Sequence, residues 1–365
     1  MTSATNSEAK LNLRAGEWVE VRTPEEILAT LDDRSCLDKM PFMPEMLRLS
    51  GQKFRVSNRA DKTCDPAISP LWTLRRLTDS VHLEGIRCDG ADHGGCQAGC
   101  LIFWKEAWLK RSTDSNAGPM ASGRKMFGSE STSKDPVSVG RILSASQRKT
   151  SDGQTAYFCQ GTEVVEFTSF MKWWDIRQDI RDFRSGNLSS GLAHNSTIER
   201  ILDGSLAALR VIRAIIVYLG WARFGVKYPS VAGKLEKTPI EVLDLQPGEL
   251  VQVRSKEEIE ATLDKNNRNR GLLFDTEQVP YCGGIYRVLR RVNHIIDEKT
   301  GKMAAMKYPC IVLEGVVCKS DYHRLCPRAI YSYWRENWLR RVSGFPVPDS
   351  SRESGTSSVQ NVHCP

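Results

Sequence analysis

Two stretches of this 365-residue chain carry cysteine and histidine at one spacing. The first reads Cys88-x4-His93-x2-Cys96 with Cys100 close behind, and the second reads Cys318-x4-His323-x2-Cys326. Thiolate and imidazole are the donors that zinc selects. It takes four in a tetrahedron, often some from one turn and the rest from another strand. Cys64 can join the first set from the preceding loop, so Cys64, Cys88, His93, Cys96 and Cys100 compete for four places. Cys282 and Cys310 join the second set, where Cys282, Cys310, Cys318, His323 and Cys326 compete likewise. Zinc is the expected ion and mononuclear iron the alternative. An iron–sulfur cluster on Cys64, Cys88, Cys96 and Cys100 is disfavoured, because the C-x2-C-x2-C runs of ferredoxins are absent.

The same residues admit two other readings. Cys88 or Cys96 beside His93 resembles a thiolate nucleophile with its base, although a duplicated loop suits a structural clip better than a duplicated nucleophile. Alternatively the thiols are small buried hydrophobes and the histidines solvated loop residues. Glycine-flanked loops seldom gather four thiols for packing alone, which favours a metal. Glu84 and Glu314, in matching Leu-Glu-Gly turns, are expected to orient the histidines from outside the coordination sphere. No phosphate-binding loop, dinucleotide fingerprint, G-x-S-x-G elbow or H-E-x-x-H motif occurs.

The spacing recurs because the chain repeats itself. A shift of 232 places Leu13–Asp32 over Leu245–Asp264 with 13 identities in 20 positions, and the register continues through Gly51 and Val56 onto Gly283 and Val288. With a two-residue adjustment Leu83-Glu84-Gly85 falls on Leu313-Glu314-Gly315, and Trp104 and Trp108 fall on Trp334 and Trp338. One unit therefore spans about 13–111 and 245–342.

Alternation in 17–21, 249–253, 52–56 and 285–292 predicts strands with one buried face, and 81–85 and 310–315 add another before each cysteine loop. Thr23-Pro24-Glu25-Glu26 and Ser255-Lys256-Glu257-Glu258 each put a capping hydroxyl and early carboxylates before an apolar residue, which predicts a short helix. The fold class expected is α+β, as tandem small β-barrel (SH3-like) modules with a helical connecting region. The division runs: 1–12, a disordered N-terminus; 13–168, the first repeat domain, with 112–155 a flexible Ser/Thr/Gly/Lys-rich insertion; 169–244, a helical connector; 245–342, the second repeat domain; 343–365, a disordered tail. Strands are expected at 157–159 and 163–167, and helices at 171–182 and 196–224.

Phe103–Lys110 and Tyr333–Arg340 each place tryptophan at i and i+4 with cations between; packing over the metal loop is the expected role, as it is for Trp173-Trp174, before any recognition surface. The net charge of +7 is spread over the chain without a basic block, so a nucleic-acid or polyanion binding module is the weaker reading. The polar opening MTSATNSEAKLN has no apolar core for a secretion signal. Eleven cysteines in such a chain point to free thiols rather than disulfides, and the expected location is cytoplasmic. The apolar run Ala214–Ala222 is too short to span a membrane, and 196–224 is a possible oligomer contact.

Lys62-Thr-Cys-Asp65, His82-Leu-Glu-Gly-Ile-Arg-Cys-Asp-Gly90, His93-Gly-Gly-Cys-Gln-Ala-Gly-Cys100 and Phe103-Trp-Lys-Glu-Ala-Trp-Leu109 resemble the motifs of an uncharacterised bacterial family of tandem-repeat, cysteine-rich proteins found near glycan and specialised-metabolite biosynthesis genes. The resemblance covers nearly the whole chain. It implies that Cys64 and Cys159 belong with the Cys88–Cys100 group and that the setting is a biosynthetic pathway. The function expected is thus a metal-binding accessory or binding protein of such a pathway, its partner a pathway protein or small molecule. The alternative is a metal- or thiol-dependent enzyme of specialised metabolism.

Overall fold

A computed structural model describes residues 10–64, 74–112, 136–187 except 173, 174 and 176, five residues within 205–216, and 231–342. Small antiparallel sheets with a few short helices make up its architecture. In the first module these are β1 (Trp18–Val21), α1 (Pro24–Leu28), β2 (Cys36–Leu37), β3 (Met40–Pro41), α2 (Pro44–Leu47), β4 (Lys53–Arg59), β5 (Lys62–Cys64), β6 (Leu74–Arg76), β7 (Ser80–Leu83), β8 (Trp104–Lys105) and β9 (Leu109–Arg111). After it come α3 (Pro136–Ala145), β10 (Gln147–Lys149), β11 (Thr155–Tyr157), β12 (Ser169–Phe170) and α4 (Arg177–Arg184). The second module contains β13 (Leu250–Val253), α5 (Lys256–Glu260), β14 (Arg268–Asn269), β15 (Leu272–Leu273), β16 (Ile285–Ile296), β17 (Met303–Leu313) and β18 (Leu339–Arg341).

The two principal sheets run β8-β7-β4-β1-β9 and β17-β16-β13-β18. Their central registers correspond: Val19 faces Phe54 and Arg111, and Val251 faces Tyr286 and Arg341. The alternation that predicts the strands becomes the burial pattern, with Val19 and Val21, like Val251 and Val253, turned inward. Both capping boxes form: Glu26 N–H donates to Thr23 Oγ1 at 3.3 Å and Glu258 N–H to Ser255 Oγ at 3.2 Å, while each glutamate accepts the cap's own N–H at 2.9 Å. Four tryptophans, Trp104, Trp108, Trp334 and Trp338, have no exposed surface. Trp108 and Trp338 donate their indole N–H to Thr30 and Thr262, at 3.1 and 2.9 Å, so each aromatic segment is core whose polar edge is satisfied. Arg340 and Arg341 pair with Glu258 and Glu249, which leaves no stacking stripe for nucleic acid there.

Several boundaries differ from expectation. Within the proposed flexible insertion, residues 136–149 form α3 and β10, because Ile142 packs into the first core beside α2; residues 113–135 lie outside the described residues. Residues 163–167 are hydrogen-bonded turns rather than a strand, with Glu163 N–H donating to the Cys159 carbonyl. The helix expected at 171–182 is confined to α4, and Ser169-Phe170 instead adds a strand beside β6. The connector is not helical over 231–244, where Leu245 N–H and Leu243 N–H instead dock on Glu336. Residues 10–12 belong to the module, since Asn12 N–H donates to Glu106 at 3.0 Å. Trp173-Trp174, the tail 343–365 and nearly all of 196–224 fall outside the described residues. No helix among the described residues is long and apolar enough to cross a membrane.

Candidate metal centre

The Cys-x4-His turn is built the same way in both modules. Cys88 N–H donates to the Cys100 carbonyl and Cys318 N–H to the Ile330 carbonyl, at 2.9 and 2.8 Å. His93 and Gly95 N–H both donate to the Gly90 carbonyl, as His323 and Leu325 do to Ser320. This winding needs left-handed backbone at three places: Gly90, Gly94 and Gly95 in the first module, Ser320, Arg324 and Leu325 in the second. Glycine supplies that conformation without strain. Serine, arginine and leucine adopt it at about 1 kcal/mol or more each, a cost the surrounding contacts must offset.

The turn brings Cys88 and His93 together with Glu45, the second residue of α2, whose start is set by Pro44. Cys318 and His323 meet Glu277, from the turn that Asp275 caps. In each triad the three donor atoms lie within 4.8 Å of one another. In the first, His93 Nδ1 is 3.7 Å from Glu45 Oε2, and both side chains are buried. Neither oxygen of Glu45 and neither ring nitrogen of His93 has a hydrogen-bond partner. Buried polar groups are nearly always satisfied; these four orphaned atoms converge on a thiol in a group that could hold a metal ion. The second triad is better paired: Cys318 Sγ lies 3.5 Å from His323 Nδ1, and Glu277 accepts Tyr322 N–H at 2.6 Å. Burial pushes the Glu277 carboxyl up to about 7, and burial followed by Glu45's charge pushes the Cys88 thiol well up.

Spacing alone misses the two glutamates. The signal was present: the 232 shift that aligns the modules also lays Phe42-x2-Glu45 on Phe274-x2-Glu277. Glu84 and Glu314, expected to orient the histidines, are exposed at turns instead.

The remaining cysteines separate into distinct settings. A cavity of about 50 Å³ opens beside the first triad, lined among others by Cys88, His93, Cys96, Cys100, Cys159 and Arg328. Burial raises Cys100 to about 11 and Cys159 to about 12, so these thiols stay protonated unless a cation binds. Cys159 thus lines the same cavity as Cys88, Cys96 and Cys100, whereas Cys64 does not. Cys64 meets Cys326 across the modules, its N–H donating to Cys326 Sγ at 3.0 Å. Burial opposes ionisation of Cys326, but hydrogen bonding from Cys64 and the Arg328 amide outweighs it and lowers that thiol, while Cys64 is raised. Two expected ligands lie away from the triads. Cys282 packs against the second core, and Cys310, fully buried on β17, packs with Val292 and Val312 beside Arg335. Neither belongs to a group of three donors, because each faces its core and not the cysteine turn.

Comparison with protein-family models, with curated proteins and with solved structures found no match to this chain.

Proposed function

We propose that this protein binds metal at two sites, with zinc the expected ion and iron the alternative. Glu45, Cys88 and His93 hold one ion; Glu277, Cys318 and His323 hold the other. The observation that carries this reading is the orphaned pair Glu45 and His93, two buried side chains whose polar atoms converge without hydrogen bonds on the Cys88 thiol. One oxygen, one sulfur and one nitrogen donor suit zinc. The two modules, each read as a small SH3-like barrel, are proposed copies of one metal-holding unit serving a biosynthetic pathway as an accessory or binding protein.

A second reading is favoured by one feature of the first site. Three protein donors leave a tetrahedral ion one open position, and the cavity borders that triad. A small molecule reaching the ion from the cavity would find a Lewis acid there, which suits a metal-dependent enzyme.

Elemental analysis of the purified full chain tests the proposal. Two equivalents of zinc are expected, with one lost in Glu45→Gln and the other in Glu277→Gln. Folded protein that stays metal-free, and that gives no thiolate-to-metal absorption on titration with cobalt, would overturn it.

A further inference from the structure

The modules touch through reciprocal contacts. The turn after His93 lies on β16, where Gln97 N–H donates to the His294 carbonyl at 3.2 Å and Ile296 N–H donates to Cys96 Sγ at 3.4 Å. The turn after His323 lies on β5, where Lys62 Nζ donates to the Arg324 carbonyl at 2.5 Å and Cys64 N–H donates to Cys326 Sγ at 3.0 Å. The shift of 232 that aligns the modules places Cys64 on Ile296, and the shift of 230 places Cys96 on Cys326. One contact is therefore made twice, and only at one of the two does a thiol stand on both sides.

That pair has the surroundings of a reactive site. Cys64 and Cys326 meet there with the Cys64 N–H 3.0 Å from the Cys326 sulfur. Leu74 and Met171 pack around the two sulfurs. Arg328, itself buried, points Nη1 at the Cys64 carbonyl at 3.4 Å and pairs with Glu298 at 2.5 Å. Neither cysteine is part of a metal triad, and Cys64 is only half-buried, which leaves a small oxidant a route in.

We propose that Cys64 and Cys326 are a thiol pair that a hydroperoxide oxidises to a disulfide joining the two modules. Cys64, the half-buried member of the pair, attacks one peroxide oxygen. The O–O bond breaks, and the leaving oxygen departs as water or alcohol with the thiol's proton, leaving a sulfenic acid. Cys326 sulfur then attacks the Cys64 sulfur. The S–S bond forms, the S–O bond breaks, and hydroxide leaves as water with the Cys326 proton. Two thiols are oxidised, one hydroperoxide is reduced, and a thiol reductant restores the pair by exchange.

The test treats the full-length wild-type chain with hydrogen peroxide, then maps peptides without reduction and measures the intact mass. The expected product is about 2 Da lighter and contains a peptide linking Cys64 to Cys326. That link should be lost in Cys64→Ser and in Cys326→Ser, and kept in Cys96→Ser. It should form equally in chelator-treated and zinc-loaded protein, since the pair stands outside both triads. Three results overturn the proposal: Cys64 and Cys326 remaining alkylatable while other thiols oxidise, Cys64 linking to Cys100 instead, or protection of the pair by zinc. The wild-type map decides the matter even if a variant fails to fold, and zinc stoichiometry measured on the same samples reports separately on the metal proposal.

Discussion

His93 Nδ1 and Glu45 Oε2 face each other at 3.7 Å inside the first module, and neither group is hydrogen-bonded. The corresponding atoms of His323 and Glu277 are 4.0 Å apart in the second. Burying an uncompensated carboxylate costs several kcal/mol. Coordination of a cation would remove that cost, so the proposed metal binding would be tied to folding stability.

Zinc should therefore stabilise the chain. At free zinc about 100 times the dissociation constant, each occupied site contributes about 2.7 kcal/mol. Thermal or urea unfolding with and without chelator measures this. Loss of most of the increment at one site is expected for His93→Ala, and the same zinc response in wild type and variant would rule out His93 as a ligand.

Acid should destabilise the first module through His82. This side chain has no exposed surface, and burial lowers it to about 4 from its ordinary 6.5; its Nδ1 faces the Ile102 carbonyl at 2.9 Å and its Nε2 has no partner. The unfolded chain takes up a proton below about pH 6.5 and the folded chain does not until about pH 4. The stability that comes from keeping His82 neutral is thus fully present above pH 6.5. It falls as the pH drops from there toward 4, by up to about 3 kcal/mol. Urea unfolding at pH 7 and pH 5 should show this fall in wild type and a smaller one in His82→Leu; identical falls would refute it.

Removing Glu106 should cost more than any surface change. Its carboxylate accepts Leu13 N–H at 2.8 Å and pairs with Arg59 at 2.7 Å, both charges being largely buried. Glu106→Ala leaves Arg59 with Asp61 and the more distant Asp79 and orphans a buried amide, which predicts a loss of about 3–5 kcal/mol. Glu336 makes the same contacts with Leu245 and Arg291, so Glu336→Ala should match it. A loss under about 1 kcal/mol in chemical denaturation would show that the pair contributes little.

Gly90→Ala should disrupt the first metal turn. Gly90 has φ +75°, and a Cβ there would lie 1.9 Å from the Cys96 carbonyl oxygen. Backbone must move, at about 2 kcal/mol or more, carrying Cys88 and His93 apart. Zinc bound at the first site should fall while the second keeps its ion; unchanged stoichiometry would show that the turn absorbs the methyl group.

What could be read in the residue order was local. The capping boxes at Thr23 and Ser255, the inward valines and the Cys-x4-His turns each depend on atoms a few positions apart, so their types and spacing sufficed. Burial of Trp104, Trp108, Trp334 and Trp338 was legible for the same reason. The third donor was not, because Glu45 lies 43 positions before Cys88 and is delivered by the packing of α2, not by spacing. Counting cysteines within each copy also grouped Cys282 and Cys310 with the second turn, whereas Cys282 packs against the core from a turn and Cys310 from β17, and it hid the meeting of Cys64 with Cys326. Which side chains meet across 262 positions depends on which faces of two modules are complementary, and one-dimensional order carries that only through the fold.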